Sequence, residues 1–402
     1  MRKILITGGS GFIGSVLVNK LYDIGCFDLT VIDSMTEQIH GCDWGQSYLY
    51  KTIQGKCNFI KNSVTNIEVM KEVVPENEFI LHLAAETGTG QSMYQINQYN
   101  ETNVMGTSNM LQAISLAGKK SKVKKIVLSS SRSVYGEGKY ECPKCGVIFP
   151  DSRDKEKMLD GDFRFYCPNC NKKLKLVSTT EDSAIKPASL YAYTKYAQEM
   201  MLKTMCPAMG IDYTIFRFQN VYGVGQSLKN PYTGILSVFS SLMLEDKPVN
   251  IFEDGLESRD FVNVQDIADG VIACLGNARS NGQTMNLGSG INTSVIEIAE
   301  ILKKHYNSFS EIKITGDFRI GDIAHNKADI SKAKEILGFE PKISLDEGLK
   351  QFSDWVVGQE TDNSKYEQSL AEMEQVGMFV RKKERPHARS SNEANYNKLY
   401  SL

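Results

Sequence analysis

The sequence has no marked excess of either charge: 46 lysines and arginines face 48 aspartates and glutamates, which gives a net charge of −2 over 402 residues. Such a balance provides no general attraction for nucleic acid or for an anionic membrane, so neither is an expected partner. No apolar run approaches the ~20 residues that a membrane-spanning helix requires. The apolar stretch in MRKILITGGSGFIG is short and broken by glycine, so the layout of a signal peptide is absent. We therefore expect a cytoplasmic protein whose nine cysteines are not a disulfide framework.

Short β-branched runs alternate with amphipathic stretches in the first half of the chain, a pattern typical of βαβ units around a parallel sheet. Strands are predicted at KILIT, LTVID, FILHLAA, KKIVLSSS and DYTIFRFQN, and helices at 12–24, 95–117 and 189–206. The fold class is therefore α/β, a doubly wound parallel sheet of the Rossmann type with a smaller C-terminal α/β domain. The predicted units are a nucleotide-binding domain at 1–220, with 258–276 returning to it, an insertion at 138–176, a substrate-binding domain at 221–358 and a polar tail at 359–402. Within the tail, 363–377 is predicted as an amphipathic helix and RKKERPHARSSNEAN as a flexible end.

The stretch TGGSGFIG places Gly8, Gly11 and Gly14 at a predicted turn from strand to helix. Glycine there permits a tight turn and a close approach of the backbone to a pyrophosphate, which binds at the helix N-terminus. Asp33 ends the next predicted strand about twenty residues further on, where a carboxylate accepts hydrogen bonds from a ribose diol. Its charge repels a 2′-phosphate, and the following residues in DSMTEQ include no Lys or Arg to bind one. The sequence therefore predicts an NAD site rather than an NADP site, and an ordinary Gly-rich turn is the weaker interpretation.

A Tyr-x-x-x-Lys spacing occurs three times, and only one of the three lies in a plausible helix. The other two contain glycine, proline or a Cys-x-x-Cys motif, whereas SLYAYTKYAQEMMLKT carries Tyr191 and Lys195 four residues apart on one face. A lysine ammonium and an oxidised nicotinamide close to the phenol would lower the tyrosine pKa from about 10 toward neutrality. A tyrosinate of that kind takes the proton from an alcohol as hydride leaves the carbon. The alternative is an ordinary amphipathic helix surface.

Four cysteines form two Cys-x-x-Cys pairs with 21 residues between them: Cys142, Cys145, Cys167 and Cys170. Four thiolates at this spacing suit tetrahedral zinc, which holds a short segment folded without a large core. Since all four positions around the metal would be taken, we expect a structural zinc that binds no reacting water. A chance set of free cysteines, a rubredoxin-like iron site and a nucleic-acid-binding ribbon that uses a small excess of positive charge in 138–176 are the alternatives.

The chain resembles the extended short-chain dehydrogenase/reductases, the nucleotide-sugar epimerase and dehydratase family. The resemblance runs in order from residue 4 to about 350, through TGGSGFIG, HLAA, NVMGT, VLSSSRSVYG, YAYTK, FQNVYG, SRDFVNVQDIADGV and GDIAHNKADISKAKEILGFEPKISLDEGL. It implies that Ser131 hydrogen-bonds the reacting hydroxyl, that Tyr191 is the base and that Lys195 activates this base and binds the ribose. One departure is KNSVTN, where this chain has Asn62 and Ser63 while many relatives have an Asp near the adenine.

The resemblance also implies two sets of binding residues. Asn220 and Arg259 would hold the substrate diphosphate, with Arg319 as a third candidate, and Ser133 would contact the substrate. Thr87 and Gln91 in AAETGTGQSMY either contact the sugar or only shape the loop. The implied cofactor-binding set is Gly8, Gly11, Phe12, Ile13, Gly14, Asp33, Ser63, Val64, Leu83, Ala84, Ala85, Asn103, Ser129, Tyr191 and Lys195.

The residues after Ser131 narrow the reaction that the family resemblance implies. Sugar 4,6-dehydratases usually carry Asp-Glu there, whereas this chain has Arg132 and Ser133, and Asp33 disfavours the NADP-dependent reductases. Redox-neutral C4 epimerisation of a nucleotide-diphosphate sugar through a transient 4-keto intermediate remains, a reaction of polysaccharide biosynthesis. The alternatives are another NAD-dependent sugar enzyme (2-epimerase, decarboxylase or 4,6-dehydratase) and a noncatalytic nucleotide-binding scaffold.

The metal motif interrupts the region between the two catalytic positions. Ser131 and Tyr191 are 60 positions apart, about twice the usual separation in the family, so the ribbon is an insertion whose ends emerge at the substrate mouth. We expect it to wall or cover the sugar site or to add to a subunit contact. With this insertion and its polar helical tail, the chain resembles the subgroup of dTDP-L-rhamnose 4-epimerases, which implies a 6-deoxyhexose substrate. The resemblance also implies a homodimer built through helices near 97–117 and 191–206.

Overall fold

The structure is a computed structural model that describes residues 1–228, 234–359 and 364–382. The predicted flexible end lies outside the described residues from position 383 onward. In the part that is described, no helix is both long enough and apolar enough to cross a membrane.

A parallel sheet of seven strands forms the centre of the described chain. In their order across the sheet the strands are Asn58–Lys61, Phe27–Asp33, Arg2–Thr7, Phe79–His82, Lys125–Ser131, Asp212–Phe218 and Gln283–Leu287. The chain steps outward from Arg2–Thr7 in both directions, which makes the sheet doubly wound and confirms the predicted fold class. Ile4, Leu5 and Ile6 are all fully buried, because helices cover both faces of a sheet of this kind.

Two apolar cores pack on the opposite faces of the sheet. On one face lie the helices Phe12–Ile24, Val264–Ala273 and Ser331–Leu337, and on the other lie Ile67–Val73, Gly106–Ala117 and Leu190–Met209. The predicted return of 258–276 to this region corresponds to the helix Val264–Ala273. The structure adds Gln283–Leu287, which the sequence boundaries assigned to the second domain but which pairs with Asp212–Phe218 as the edge strand.

The helix predicted at 95–117 is a continuous run in three parts: Ile96–Tyr99, a π-helical stretch Asn100–Met105, and Gly106–Ala117. The helix predicted at 189–206 spans Leu190–Met209, with the Ser189 hydroxyl accepting a hydrogen bond from the Ala192 N–H at 3.2 Å. That cap satisfies one of the amides left unpaired in a first helical turn. The helix start next to Tyr191 is thereby fixed.

The second domain has its own apolar core, formed mainly by the helices Ile235–Leu244, Val295–Tyr306 and Leu345–Val357. The parallel strands Val249–Ile251 and Ile312–Ile314 pack with them. Shorter pieces connect this domain to the sheet: Asn220–Tyr222 pairs with Phe261–Asn263, and Ser258–Arg259 pairs with Thr293–Ser294. The remaining helices of the first domain are short: Glu37–His40, Trp44–Gln46, Tyr48–Ile53, Val74–Glu76, Thr89–Ser92, Gly118–Lys120, Arg132–Tyr135 and Ala278–Ser280.

The insertion, called the ribbon below (residues 138–176), is a small antiparallel sheet with one short helix. Its strands are Tyr140–Cys142, Gly146–Ile148 and Lys175–Leu176, and its helix is Lys155–Leu159. The tail contributes the helix Ser364–Gln375, close to the predicted 363–377, and the strand Phe379–Val380. This strand, which the sequence did not predict, pairs with Phe318–Arg319 of the second domain.

Candidate active site and metal cluster

The glycine loop leaves no room for side chains. Gly8 has a φ of +70°, and a Cβ placed on it would lie 2.8 Å from the Ala84 nitrogen. A Cβ on Gly14 would overlap the carbonyl oxygen of Gly8, and one on Gly11 would lie 3.2 Å from the same oxygen. The three glycines therefore allow the first strand, the first helix and the strand end at Ala84 to approach closely.

The helix that begins with Phe12 and Ile13 has an N-terminus suited to an anion. Its N-cap is Gly11, which provides no side-chain cap, and the first turn has no acidic residue. The Ser10 hydroxyl beside it is buried and has no hydrogen-bond partner within the described chain. Unpaired amides, a positive helix end and an orphaned hydroxyl fit a pyrophosphate at this position.

Asp33 is held at the end of the second strand by backbone amides. The Ser10 N–H donates to its Oδ2 at 3.0 Å and the Met35 N–H to its Oδ1 at 2.9 Å. Burial raises the pKa of Asp33 above its usual value, while these amides and the nearby His40 act in the opposite direction. Each carboxylate oxygen keeps lone-pair capacity for another donor, as a ribose diol requires.

The other predicted cofactor residues lie around the ends of the strands. Leu83, Ala84 and Ala85 follow the strand Phe79–His82, and the Leu83 N–H donates to the Thr7 carbonyl at 3.1 Å. Val64 packs against Gly106, where a Cβ would lie in close contact with its side chain. The Ser63 hydroxyl accepts a hydrogen bond from the Thr65 hydroxyl at 2.8 Å within its own turn.

Asn103, which the family resemblance implied as a cofactor-binding residue, has its side-chain amide bonded within the protein. It is fully buried, and its side-chain amide donates to the Glu86 carbonyl at 3.1 Å and to the Thr194 hydroxyl at 2.9 Å. Its Oδ1 accepts from the Glu86 N–H at 2.8 Å. Both amide hydrogens are thus used to tie the loop after Ala85 to the helix Leu190–Met209, so Asn103 supports the cofactor side of the site rather than donating to a ligand.

Ser131, Tyr191 and Lys195 come together at the carboxyl end of the sheet. Ser131 lies close enough to the Tyr191 phenol to act against the burial that raises the pKa of that phenol. Lys195 is buried, and its Nζ donates to the Ser129 carbonyl at 2.8 Å. The predicted spacing of the helix therefore brings the phenol and the ammonium to the strand end that carries both serines.

The electrostatics of Tyr191 differ from those expected from the sequence. Burial raises the pKa of Tyr191, and the groups that act against this are Ser131, by its hydrogen bond, and Arg132, by its charge. Lys195 lies 6.0 Å from the centre of the Tyr191 ring, and burial lowers the pKa of its amine to about 7. Within the protein alone, Ser131 and Arg132 are the groups that act against burial at Tyr191, and activation by Lys195 and a bound nicotinamide stays a prediction.

Arg132 is a further candidate site residue. From the sequence it was considered only because it replaces the acid that 4,6-dehydratases carry after the catalytic hydroxyl residue. Its Nη1 is buried without a hydrogen-bond partner in the described chain. Its guanidinium interacts electrostatically with Arg259, Asp322 and Tyr191. Burial lowers the pKa of this guanidinium to about 10. Its position directly after the predicted catalytic serine was the signal that could have identified it.

The predicted sugar loop AAETGTGQSMY is held by hydrogen bonds to residues outside it. Gln91 is buried and exchanges hydrogen bonds with Gln38 at 3.1 and 3.2 Å, and the Tyr99 hydroxyl donates to the Thr87 carbonyl at 2.5 Å. The Tyr191 N–H donates to the Ser92 hydroxyl at 3.1 Å, which joins this loop to the catalytic helix. These contacts favour the interpretation in which Gln91 shapes the loop.

Three of the predicted substrate residues carry buried polar atoms that have no partner among the described residues: Ser133 Oγ, Asn220 Oδ1 and Arg319 Nε. Such atoms are rare because an unsatisfied buried polar group is costly, and a polar ligand would satisfy them. The Arg319 guanidinium lies 5.1 Å from the centre of the Phe252 ring. Ser133 Oγ and Arg319 Nε can donate to a phosphate oxygen, whereas Asn220 Oδ1 is an acceptor and fits a hydroxyl or N–H group of the ligand.

Arg259 does not fit the predicted diphosphate role in the same way. Its Nη1 donates to the carbonyls of Ser258 and Ala324 at 3.0 and 2.9 Å. Its Nη2 donates to the Ile323 carbonyl at 2.7 Å and to Asp322 Oδ1 at 3.2 Å. All four hydrogens of its terminal nitrogens are used inside the protein, so Arg259 holds a loop of the second domain.

The four cysteines of the ribbon form one compact cluster. The sulfur atoms of Cys142, Cys145, Cys167 and Cys170 all lie within 4.8 Å of one another. Tetrahedral zinc with sulfur at about 2.3 Å requires sulfur–sulfur separations of about 3.8 Å. The Lys144 N–H donates to Cys142 Sγ at 3.5 Å, a contact that favours a thiolate. Both the donor set and its geometry fit a four-thiolate metal site.

Comparison with known proteins gives a consistent result. A sequence model of the NAD dependent epimerase/dehydratase family matches residues 4–153 and 167–288. A dTDP-L-rhamnose 4-epimerase from Burkholderia thailandensis is 35% identical over 363 residues, which are 90% of this chain and 96% of that protein. The family match is interrupted at 154–166, inside the ribbon.

Two solved structures resemble the chain over most of its length. The UDP-glucose 4-epimerase of Thermotoga maritima with UDP-glucose is 28% identical, with a TM-score of 0.71, covering 89% of this chain and 99% of that one. The UDP-glucuronic acid 4-epimerase of Bacillus cereus, in complex with UDP-glucuronic acid and NAD, is 26% identical, with a TM-score of 0.72 and the same 89% and 99% coverage.

Proposed function

The chain belongs to the NAD-dependent epimerase/dehydratase family, and we propose that it binds NAD and inverts C4 of a nucleotide-diphosphate sugar through a transient 4-keto intermediate. The observation that carries the proposal is the cluster in which Ser131 lies close to the Tyr191 phenol, with the buried Lys195 anchored on the Ser129 carbonyl. The glycine loop that fits a pyrophosphate lies at the same end of the sheet. The reacting groups and the cofactor site would thus lie side by side at the carboxyl ends of the strands, where this fold binds its ligands.

The residues of the cluster have separate roles in this reaction. Ser131 orients the sugar C4 hydroxyl, and Tyr191 takes its proton as the C–H bond breaks and returns the proton at the end. Lys195, fixed by Ser129, would hold the cofactor ribose. When bound, NAD would supply the acceptor for the C4 hydride and the source from which the hydride returns to the other face of the sugar. Atoms and electrons therefore balance without an external oxidant.

Asp33 supports NAD rather than NADP. Its two oxygens already accept hydrogen bonds from the amides of Ser10 and Met35, so the carboxylate is fixed in place. A fixed negative charge at the ribose excludes a 2′-phosphate by repulsion. Ser10, Gly11 and the first turn of the helix would hold the pyrophosphate.

The substrate that we propose is a dTDP-linked 6-deoxyhexose such as dTDP-L-rhamnose. Support comes from the identity with the dTDP-L-rhamnose 4-epimerase and from the absence of the acid pair that dehydration requires after Ser131. Arg319 would contact the diphosphate through its unpaired Nε, and Asn220 would do so through its side-chain NH2 group. The Cys142, Cys145, Cys167 and Cys170 cluster would hold a structural zinc with no open coordination position.

We also propose a homodimer built on the two long helices of one sheet face. Large apolar side chains on the stretches 96–117 and 190–209 are exposed, and unburied apolar groups of this size on one surface indicate an interface. They are Ile96, Met105, Leu116, Tyr193, Met200 and Met205. Sedimentation of wild type and of Met200→Glu tests this, with a shift from dimer to monomer as the expected result.

The test of the activity is an incubation of the purified protein with dTDP- and UDP-sugars deuterated at C4. An epimerase returns the C4 epimer with deuterium retained, without net NADH and without loss of CO2 or water. Release of CO2 would indicate a decarboxylase, and a 4-keto-6-deoxy product would indicate a dehydratase. A protein that converts none of these sugars would contradict the proposal and favour a scaffold.

A further inference from the structure

The ribbon and the C-terminal tail both contact the same segment of the second domain, residues 317–325. This segment contains the two-residue strand Phe318–Arg319 and the residues Asp322–Ala324 that bind Arg259. The ribbon contacts it from one side and the tail strand Phe379–Val380 pairs with it. The 317–325 segment therefore has little regular structure of its own and depends on its neighbours.

The main polar contact from the ribbon is Arg153. Its two terminal nitrogens bind the carboxylate of Glu253 as a bidentate pair, with Nη2 to Oε1 at 2.8 Å. The same Nη2 donates to the Asp322 carbonyl at 3.0 Å. The Arg153 and Glu253 side chains are only 3% and 2% exposed, so water does not screen this pair.

A second contact starts at the entrance of the ribbon. The Glu137 carboxylate accepts a hydrogen bond from the Ala324 N–H at 2.9 Å. Arg153 and Glu137 therefore bind the backbone on both sides of Ile323. Arg259 binds the same three residues from the opposite side.

Apolar packing joins the ribbon, the segment and the tail. Met158 and Phe163 of the ribbon form one buried cluster with Phe318, against which Ile320 and Val380 pack. The Ile320 N–H donates to the Met378 carbonyl at 2.9 Å. Arg319, the residue with an unpaired Nε, lies between Phe318 and Ile320 in the chain and is thus flanked by anchored neighbours.

We propose that Arg153 is a positioning residue for the substrate diphosphate, and that the ribbon serves the reaction by holding the 317–325 segment, and with it Arg319, in the binding geometry. The proposal rests on the proposed function for the nature of the ligand, a nucleoside diphosphate. Groups that bind a phosphate act well only when neighbouring residues fix their position. A metal-stabilised insertion does this here from outside the Rossmann fold.

The test compares Arg153→Met with Arg164→Met, an exposed ribbon arginine that pairs with Asp162. We expect Arg153→Met to raise the KM for the nucleotide sugar and the Kd for dTDP or UDP about tenfold or more, with kcat within about threefold of wild type. NAD binding, metal content and the Arg164→Met variant should match wild type. Arg153→Lys, which keeps the charge but not the bidentate fork, should recover only part of the affinity.

Equal nucleoside diphosphate affinity in wild type and Arg153→Met, or a loss of kcat alone, would overturn the inference. Hydrogen exchange gives a reading that does not depend on turnover: amides of the 317–325 segment should exchange faster in Arg153→Met while those of the central strands stay protected. Unchanged exchange of the 317–325 amides would also reject the inference.

If Arg153→Met does not fold, Glu253→Gln removes the same charge pair with almost no change of shape. A wild type that binds no nucleoside diphosphate contradicts the proposed function, and the exchange experiment still decides on the role of Arg153.

Discussion

The central sheet and the ribbon both border the site, but they are stabilised in different ways. The sheet has seven paired strands between two apolar cores, each made of many fully buried side chains. The ribbon has strands of two or three residues and a small cluster formed by Tyr140, Cys142, Phe165, Cys167 and Leu174 with Ala324 of the second domain. A cluster of that size supports little structure without a metal or disulfides. The comparison teaches that the sheet folds by burying apolar surface, whereas the ribbon has too small a core for this and has a cysteine cluster that would bind a metal.

The two regions also provide different kinds of group. The sheet brings Ser131 and Lys195 to the reacting centre through backbone that is fixed by strand pairing and helix packing. The ribbon contributes no reacting group to the cluster around Tyr191 and instead binds the 317–325 segment through Arg153 and Glu137. Changes in the sheet region should therefore act on kcat or on NAD, and changes in the ribbon on substrate affinity.

The largest expected effect belongs to the sheet side. Tyr191→Phe removes the proton acceptor but keeps the ring, so kcat should fall about 10³-fold while thermal stability and metal content remain those of wild type. The matched control is Tyr193→Phe, on the same helix but 53% exposed. A Tyr191→Phe enzyme with more than a tenth of wild-type kcat would show that the phenol is not the base.

Gly14→Ala should produce the next largest effect, on the cofactor. The added Cβ would overlap the Gly8 carbonyl oxygen, and overpacking of this kind costs about 1–3 kcal/mol, equivalent to roughly a 10- to 100-fold loss of NAD affinity. Gly276→Ala is the control, because nothing lies within 4 Å of its added Cβ. Fluorescence titration with NAD measures both, and equal affinities would reject the tight turn as the reason for glycine.

Loss of the metal should affect the ribbon while leaving the sheet folded. Cys145→Ser should lose the single bound zinc, expose the amides of 140–176 to hydrogen exchange and raise the KM about tenfold, with the strands of the sheet still protected. The exposed Cys26, changed to serine, serves as control. If the whole chain unfolds with the metal, the two regions are one cooperative unit and the comparison fails.

The sequence predicted the sheet well because its signals are local. β-branched runs such as KILIT, the glycine loop and the Tyr-x-x-x-Lys spacing each report on a few neighbouring residues, and the structure has the corresponding elements within a few positions. The cysteine spacing predicted the cluster for the same reason, since the ligands of a ribbon come in close pairs. The fold class followed from these local patterns, whereas the place of Ser131 beside Tyr191 was implied by the family resemblance.

What the sequence did not reveal depends on contacts between distant segments. The pairing of Phe379–Val380 with Phe318–Arg319 joins residues about sixty positions apart through two-residue strands, too short for any periodicity. The Arg259 guanidinium likewise donates to the carbonyls of Ile323 and Ala324, which lie in a loop. No periodicity or motif in the sequence predicts the course of this loop. Arg132 was overlooked because only the missing acid at its position was considered, and not its own positive charge.

The last prediction concerns the pH dependence of stability caused by a buried charge on the sheet side, which does not affect turnover at neutral pH. Burial lowers the pKa of Lys195 to about 7, while the unfolded chain keeps the usual pKa of about 10.4. Between these values the unfolded state binds more protons than the folded state, so this lysine makes stability rise with pH from about 7 to about 10, by at most ~1.4 kcal/mol per pH unit. Below pH 7 the amine is charged in both states, and the full cost of burying it is present.

Unfolding by urea without nucleotide should show this rise in wild type and in Lys203→Met, a partly exposed lysine of the same helix, but not in Lys195→Met. The same slope in all three proteins would mean that Lys195 remains charged in the folded state, and that its charge is then balanced by Glu199 one turn further along the helix.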